Sequence, residues 1–294
     1  MTASTASFYR GKAFRQRLRR GTAYVLLVMG FVWFSFPLLW MVLGSFKSFA
    51  DLATIPPRIW PSSFHWENYP HAWTIVPFGR YFINTAIITG ANIIGIIASC
   101  SLVAYGFARQ RFWGRNFFFG VMLSTMMLPS WVTLIPQFLI FHALGWVNTW
   151  YPLTVPAFFA TAASYIFLLR QFFLTLPLEL DEAAKLDGCS RFGIYWRILM
   201  PLCGPIVATI MIFTFISHWN DFFGPLIYIH RAELYTVSIG LAFLRNAVSL
   251  DTGEPVQALL LAASVFCSLP LLVVFFVGQK YFVRGIALTG RTGM

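Results

Sequence analysis

Charge is what this chain has least of. Only 11% of its 294 residues are charged, against roughly a quarter in an ordinary soluble domain. That shortage excludes a soluble enzyme, a disordered regulator and a secreted disulfide scaffold. Four lysines occur, and none sits in a G-x-x-x-x-G-K-[ST] frame, so the chain does not hydrolyse ATP through a phosphate loop. The five histidines form no H-E-x-x-H pair. Cys100, Cys189, Cys203 and Cys267 are widely spaced, without C-x-x-C, and read as small apolar fillers rather than a metal or redox site. No metal ligand set and no catalytic residue is expected. There is also no train of intramembrane acids of the kind a proton relay needs. Asp221 is the one candidate, at a span boundary. Internal repeats with broken helices are absent too, which weighs against an ion-coupled secondary transporter.

What the chain has is apolar length. Hydrophobic residues make up 58% of it, and its mean hydropathy is +0.70. A bilayer core needs about 20 helical residues. Stretches free of Asp, Glu, Lys and Arg run over 21–46, 81–108, 116–169, 198–220 and 255–279. The longest divides at Gly145-Trp146-Val147-Asn148-Thr149-Trp150-Tyr151-Pro152, where helix breakers meet interfacial aromatics. Six spans result. All read as helices, since none shows the alternation of a membrane barrel. The first run is too long for a signal peptide and lacks a cleavage site, so it counts as an uncleaved helix. The 32 Phe and 11 Trp are expected mostly against lipid or in the core, not as a sugar platform.

Sixteen of the 21 Lys and Arg fall before span one, in the 109–115 turn, in the 170–197 segment or in the tail. The positive-inside rule places both termini in the cytoplasm. The net charge of +11 is therefore a topology signal, not a nucleic-acid surface. The predicted organisation is a basic N-terminus (1–20), a first helix (21–46), an external loop (47–80), a five-helix core (81–279) and a cytoplasmic tail (280–294). The core contains a cytoplasmic segment at 176–201 and an external loop at 221–255.

That cytoplasmic segment carries the most information. Residues 176–188 read as a short amphipathic helix with Pro177 in its first turn. Glu179, Asp181 and Glu182 crowd the end that favours negative charge. Gly188 suits a left-handed stop. Ser190 could cap a second helix, Arg191 to Leu199, with Pro201 before span five. Ala183 and Ala184 leave a smooth face for a partner. The plainer alternative is a connector lying on the membrane surface.

Glu182-Ala183-Ala184, Gly188, Ile198 and Pro201 resemble the EAA loop of binding-protein-dependent ABC importer permeases. Cys189 and Met200 stand where that family usually has Ala and Leu. Phe36-Pro37-Leu38-Leu39-Trp40, Ser45-Phe46-Lys47-Ser48, Glu67-Asn68-Tyr69, Trp219-Asn220-Asp221 and the Gln279 to Gly285 tail extend the likeness. The chain resembles the second, six-helix permease subunit of the carbohydrate uptake family, the partner type in maltose importers. The resemblance implies an all-α, N-in/C-in, type I importer permease in a bacterial cytoplasmic membrane. It implies a second permease subunit, two ATPase subunits that bind ATP and Mg, and an extracytoplasmic solute-binding protein. The chain itself would catalyse nothing. Glu182 would pair with a basic residue of the ATPase, Gly188 would turn the loop and Asp187 would brace it, with Ala183 and Ala184 at the contact. Asn246, Val248, Ser249, Leu250, Asp251 and Thr252 would enter the binding protein's cleft, unless they form an ordinary solvated loop. The cargo would be an oligosaccharide, with a glycerol-phosphate diester or an acidic uronate oligosaccharide as alternatives. Candidate pathway residues are Asn84, Asn92, Gln137, Tyr165 and Asn220. Each could instead bond a neighbouring helix.

Overall fold

The computed structural model describes residues 3–251 and 257–289, and among these no strand occurs. The chain divides into two compact units. One comprises 1–72 with 248–265, the other 73–247 with 266–294.

In the first unit, α1 runs Ala3–Ser45. Its apolar stretch Arg19–Ser45 is long enough to cross a bilayer, and Trp33 and Phe34 stand exposed, as suits a helix apolar all round. The expected external loop that follows is partly helical, with α2 at Phe49–Ala53 and α3 at Asn68–Ile75. It is tied back onto the end of α1. Asn68 Nδ2 donates to the Ser45 and Lys47 carbonyls at 2.9 and 3.1 Å, and the Tyr69 hydroxyl meets Ser45 Oγ at 2.7 Å. Lys47 is buried. Its ammonium lies over the Trp40 ring at 4.2 Å and donates to the Arg58 carbonyl. Burial holds it below its ordinary pKa, and Asp51 pulls it back. Asp51 accepts from the Ser62 hydroxyl at 2.7 Å and N–H at 3.0 Å, which depress its carboxyl. That carboxyl therefore stabilises the fold above the ordinary Asp range, and its contribution fades as pH falls through the lowered value. These bonds give the Ser45–Lys47 and Asn68–Tyr69 elements a structural duty.

The second unit is built around α4, Phe78–Arg109. Ile96, Cys100, Ala104 and Ala108 are buried along one face at a spacing of four, small enough for close approach. Two short helices follow, α5 (Arg115–Thr125) and α6 (Ser130–Ala143). Then come α7 (Tyr151–Thr154), a 3₁₀ turn at Val155–Phe159 and α8 (Ala163–Thr175). The segment expected in the cytoplasm forms α9 (Glu179–Leu186), α10 (Arg191–Gly193), a π stretch Ile194–Leu199 and α11 (Met200–Leu202). Next come α12 (Gly204–Trp219), α13 (Phe223–Tyr228), α14 (Val237–Asp251) and α15 (Gln257–Thr289). The last two helices each have part of their length in either unit.

Three predicted segments take a local form that the sequence reading lacked. The predicted third span is broken, since α5 covers about 16 Å and the chain is extended at Pro129 before α6. Proline supplies no N–H and disfavours a helical residue before it. The predicted fifth span is bent by 78° between Arg191–Leu202 and Gly204–Trp219, where Pro201, Gly204 and Pro205 crowd the joint. The expected external loop 221–255 is mostly helical, because Val237, Ile239 and Leu244 of α14 are buried. Four helices among the described residues are long and apolar enough to cross a membrane, or five counting the bent pair. The split predicted at 145–152 coincides with a left-handed turn, Gly145 at φ +68° and Asn148 at φ +66°.

Polar groups on α4 hold irregular backbone in place. Asn84 Nδ2 donates to the Glu233 and Tyr235 carbonyls at 2.8 and 2.9 Å. Asn92 Nδ2 donates to Leu153 O at 2.8 Å, and the Ser99 hydroxyl to Ala157 O at 2.8 Å. Replacing Asn84 by alanine is expected to cost about 1–3 kcal/mol by stranding two carbonyls. A wild-type melting temperature for that variant in detergent would refute this.

Candidate functional site

The segment from Leu176 to Leu202 folds by local rules. Pro177 stands just outside α9, whose N-cap is Leu178. Three acids occupy the first turn and Lys185 the last, matching the helix dipole. Gly188 adopts φ +78°, a conformation that side chains with a Cβ rarely take. Its N–H donates to Lys185 O at 3.0 Å, and that of Cys189 to Ala184 O at 2.9 Å, a Schellman-like closure. Ser190 caps α10 by accepting from Gly193 N–H at 3.1 Å.

Position on α9 then divides the residues. Asp181 and Ala184, three apart, face inward and are buried. Glu182, Ala183, Lys185 and Leu186 face outward, with Leu186 89% exposed. The single smooth face expected from Ala183 and Ala184 is thus corrected: Ala184 packs in the core and Ala183 is free to meet a partner. Glu182 has no ion pair among the described residues. The Asp187 side chain is exposed, and what Asp187 adds to the turn is its backbone N–H, donated to Ala183 O at 3.0 Å.

Asp181 has a second role that its place among the first-turn acids does not reveal. Its carboxylate lies 3.2 Å from Arg109 Nη1 at the end of α4, with the two side chains 9% and 3% exposed. Arg109 Nη2 also donates to Leu176 O at 2.7 Å. Beside this pair the Tyr105 hydroxyl donates to Arg191 O at 3.0 Å and itself accepts from Gln110 Nε2 at 3.0 Å. Tyr195 Oη meets Ser101 Oγ at 2.7 Å. The segment is therefore fastened along the C-terminal end of α4. The available signal was the shared helical face of Asp181 and Ala184, with Arg109 closing a long uncharged stretch.

The pathway candidates do not converge. Asn84 and Asn92 are buried and committed to backbone carbonyls. Asn220 folds back onto Ile216 O at 2.8 Å. Tyr165 is half-buried against the core. Gln137 alone is exposed beside an open cleft of about 440 Å³. Asn246, Val248, Ser249, Leu250 and Asp251 fall on the last turns of α14, while Thr252 lies outside the described residues. No group of His, Cys, Asp or Glu able to hold a metal occurs among the described residues.

Residues 91–288 match the family described as binding-protein-dependent transport system inner membrane component. The probable ABC transporter permease protein YurM of Bacillus subtilis is 36% identical over 90% of this chain and 86% of its own length. The arabinooligosaccharides transport system permease protein AraQ of Halalkalibacterium halodurans is 33% identical over 91% and 96%. The sn-glycerol-3-phosphate transport system permease protein UgpE of Yersinia enterocolitica is 31% identical over 91% and 97%. A chain of a bacterial ABC transporter involved in the import of the acidic polysaccharide alginate superposes with a TM-score of 0.79 over 91% of this chain and 98% of its own, at 23% identity, which establishes the shared fold. Sequence, fold and relatives agree: this multi-pass inner-membrane chain belongs to the binding-protein-dependent permease family of ABC transporters.

Proposed function

We propose that this chain is one of two permease subunits of an ATP-driven importer. It receives a neutral oligosaccharide from an extracytoplasmic binding protein and passes it inward. In this reading the chain crosses the membrane six times with both termini inside, α5 and α6 together making the third crossing. ATP and Mg²⁺ act on two separate ATPase subunits. The face of Glu182, Ala183 and Leu186 docks on one of them.

The observation that carries this reading is the fastening of α9 to α4. When the ATPase dimer closes, α9 is displaced. A free loop would absorb that movement, but α9 is paired to Arg109, and the helical stretch after it is bonded to Tyr105 and Ser101. The displacement passes to α4. Farther along α4, Ser99, Asn92 and Asn84 hold the carbonyls of Ala157, Leu153, Glu233 and Tyr235. One helix thus connects the docking face to the segments that would gate the pathway. The links are one buried ion pair and a set of hydrogen bonds of 2.7–3.0 Å.

Relatives named for arabinooligosaccharide transport support a sugar cargo. A relative named for sn-glycerol-3-phosphate transport keeps a phosphate diester as the second reading. The neutral lining of the cleft beside Gln137 favours the sugar.

Glu182→Arg is expected to cut ATP-driven uptake more than tenfold and to reduce recovery of the ATPase with the tagged permease. Gly188→Val, forcing a β-branched residue into a left-handed turn, should do the same. Wild-type uptake by both variants would sink the coupling reading.

A further inference from the structure

The cleft beside Gln137 holds the least expected group of side chains in the second unit. It lies between α6, the turn after it, and the segment joining α7 to α8. Gln137, Phe141, Trp146, Phe159, Thr161 and Tyr228 line it. No lining residue is charged.

Three observations mark it as wetted space. The first is backbone. The apolar stretch Tyr151–Thr175 is long enough to span, yet its helix is interrupted by the 3₁₀ turn Val155–Phe159, a left-handed Ala160 at φ +54° and two further non-helical residues. Non-helical backbone at membrane depth is tolerated only when buried in protein or lining a water-filled cavity. Here Phe159 is 74% exposed and Thr161 is exposed, so burial within this chain does not account for it. The second is Gln137, an exposed amide midway along an apolar helix, with no hydrogen bond to its side chain among the described residues. Facing hydrocarbon, it would carry a heavy desolvation cost. The third is Thr161, an exposed polar residue whose hydroxyl donates to Pro156 O at 3.1 Å within the same interrupted stretch.

The chemistry of the walls then selects an occupant. Phe141 and Trp146 stack on one another at 5.5 Å and 16°, forming a rigid apolar wall. Phe159 offers an unused ring face. Gln137 supplies a donor and an acceptor, and Thr161 spends its proton on Pro156 O at 3.1 Å and keeps an acceptor free. Aromatic faces beside neutral hydroxyl-binding groups suit a sugar ring, whose C–H faces are apolar and whose edge is polar. A lipid acyl chain would have no use for the amide, and an anionic cargo would meet no cation.

We propose that this cleft holds one neutral sugar ring of the imported cargo, making this subunit a contributor to substrate binding. The proposal rests on the importer reading above. It makes Phe159 the stacking platform and Gln137 the hydroxyl-binding group. It departs from the sequence expectation that the aromatic residues are mostly lipid-facing or core and form no sugar platform.

The test uses the assembled importer in its native membrane, with Cys189→Ser removing the half-exposed thiol; Cys100, Cys203 and Cys267 are buried. Gln137→Cys and Thr161→Cys are each exposed to a charged methanethiosulfonate. Arabinotriose and maltotriose serve as sugar probes, with a glycerol-phosphate diester and trimannuronate beside them. The expected result is rapid labelling at both positions, slowed at least fivefold at Thr161→Cys, which keeps Gln137, by whichever neutral sugar the wild type imports. Val132→Cys and Leu139→Cys, exposed elsewhere on α6, should stay unlabelled. Phe159→Ala should raise the uptake KM about tenfold, with Phe159→Tyr restoring it. Labelling that the imported sugar does not slow, or no labelling at Gln137→Cys while uptake continues, overturns the cleft and leaves the importer standing. Wild-type import of only the charged probes, or of none, overturns the sugar cargo and this proposal with it.

Discussion

Asp181→Ala is expected to lower stability by about 3–5 kcal/mol, the usual effect of stranding one member of a buried ion pair. Arg109 is only 3% exposed, so its charge cannot recover hydration without moving α9. The variant should therefore melt at a lower temperature in detergent and also lose ATP-driven uptake. The double variant Asp181→Leu/Arg109→Met separates the two losses. Replacing a buried pair by apolar residues of similar size often restores stability. The double variant should melt near the wild type, with transport returning only as far as apolar packing alone can hold α9 to α4. A wild-type melting temperature for Asp181→Ala would mean that the pair is open to water and is no mechanical link.

Gly95→Val is the second large effect, and its sign runs against helix propensity. Gly within a helix normally costs about 1 kcal/mol relative to Ala, so substitution there usually helps. At Gly95 a Cβ would sit 2.9 Å from the Phe158 ring and 3.1 Å from the Ala157 backbone carbon. The ring could turn aside, but the backbone could not without lifting the 155–159 turn off α4. That shift would also strain the Ser99 bond to Ala157 O. A loss of about 1–3 kcal/mol or more is expected from overpacking, along with reduced uptake. Gly90→Ala on the same helix, with nothing within 4 Å of its Cβ, should be neutral or stabilising. Equal melting temperatures for the two variants would show that the 155–159 turn does not rest on α4.

Much of this protein is written locally in its chain. Uncharged length foretells the long helices α1, α4 and α15, because so long an apolar run is stable only out of water, where its backbone polar groups must bond within the segment. The frame from Glu179 to Ser190 is legible for a similar reason. Dipole-matched acids, a left-handed glycine and a capping serine act within a few residues of themselves. Even the break at Pro129 was available locally, though apolarity on both sides concealed it.

What the sequence left undecided depends on residues far apart in the chain. Asp181 and Glu182 are neighbours of the same charge, yet one is sealed against Arg109 and the other faces outward. Only the packing of α9 on α4 separates them. Asn84 and Asn92 read as candidate cargo ligands, though such residues more often bond a neighbouring helix, and the fold brings them to carbonyls about 150 and 61 positions away. Gln137 gains its meaning from Phe159 and Thr161 across an interrupted helix. Amino-acid order along the chain determined which segments enter the membrane and where the chain turns, since those follow from solvation and short-range backbone geometry. Tertiary structure alone decided which polar groups are consumed internally and which remain free to act, because hydrogen bonds and ion pairs saturate. A donor already spent on a distant carbonyl has nothing left for a cargo.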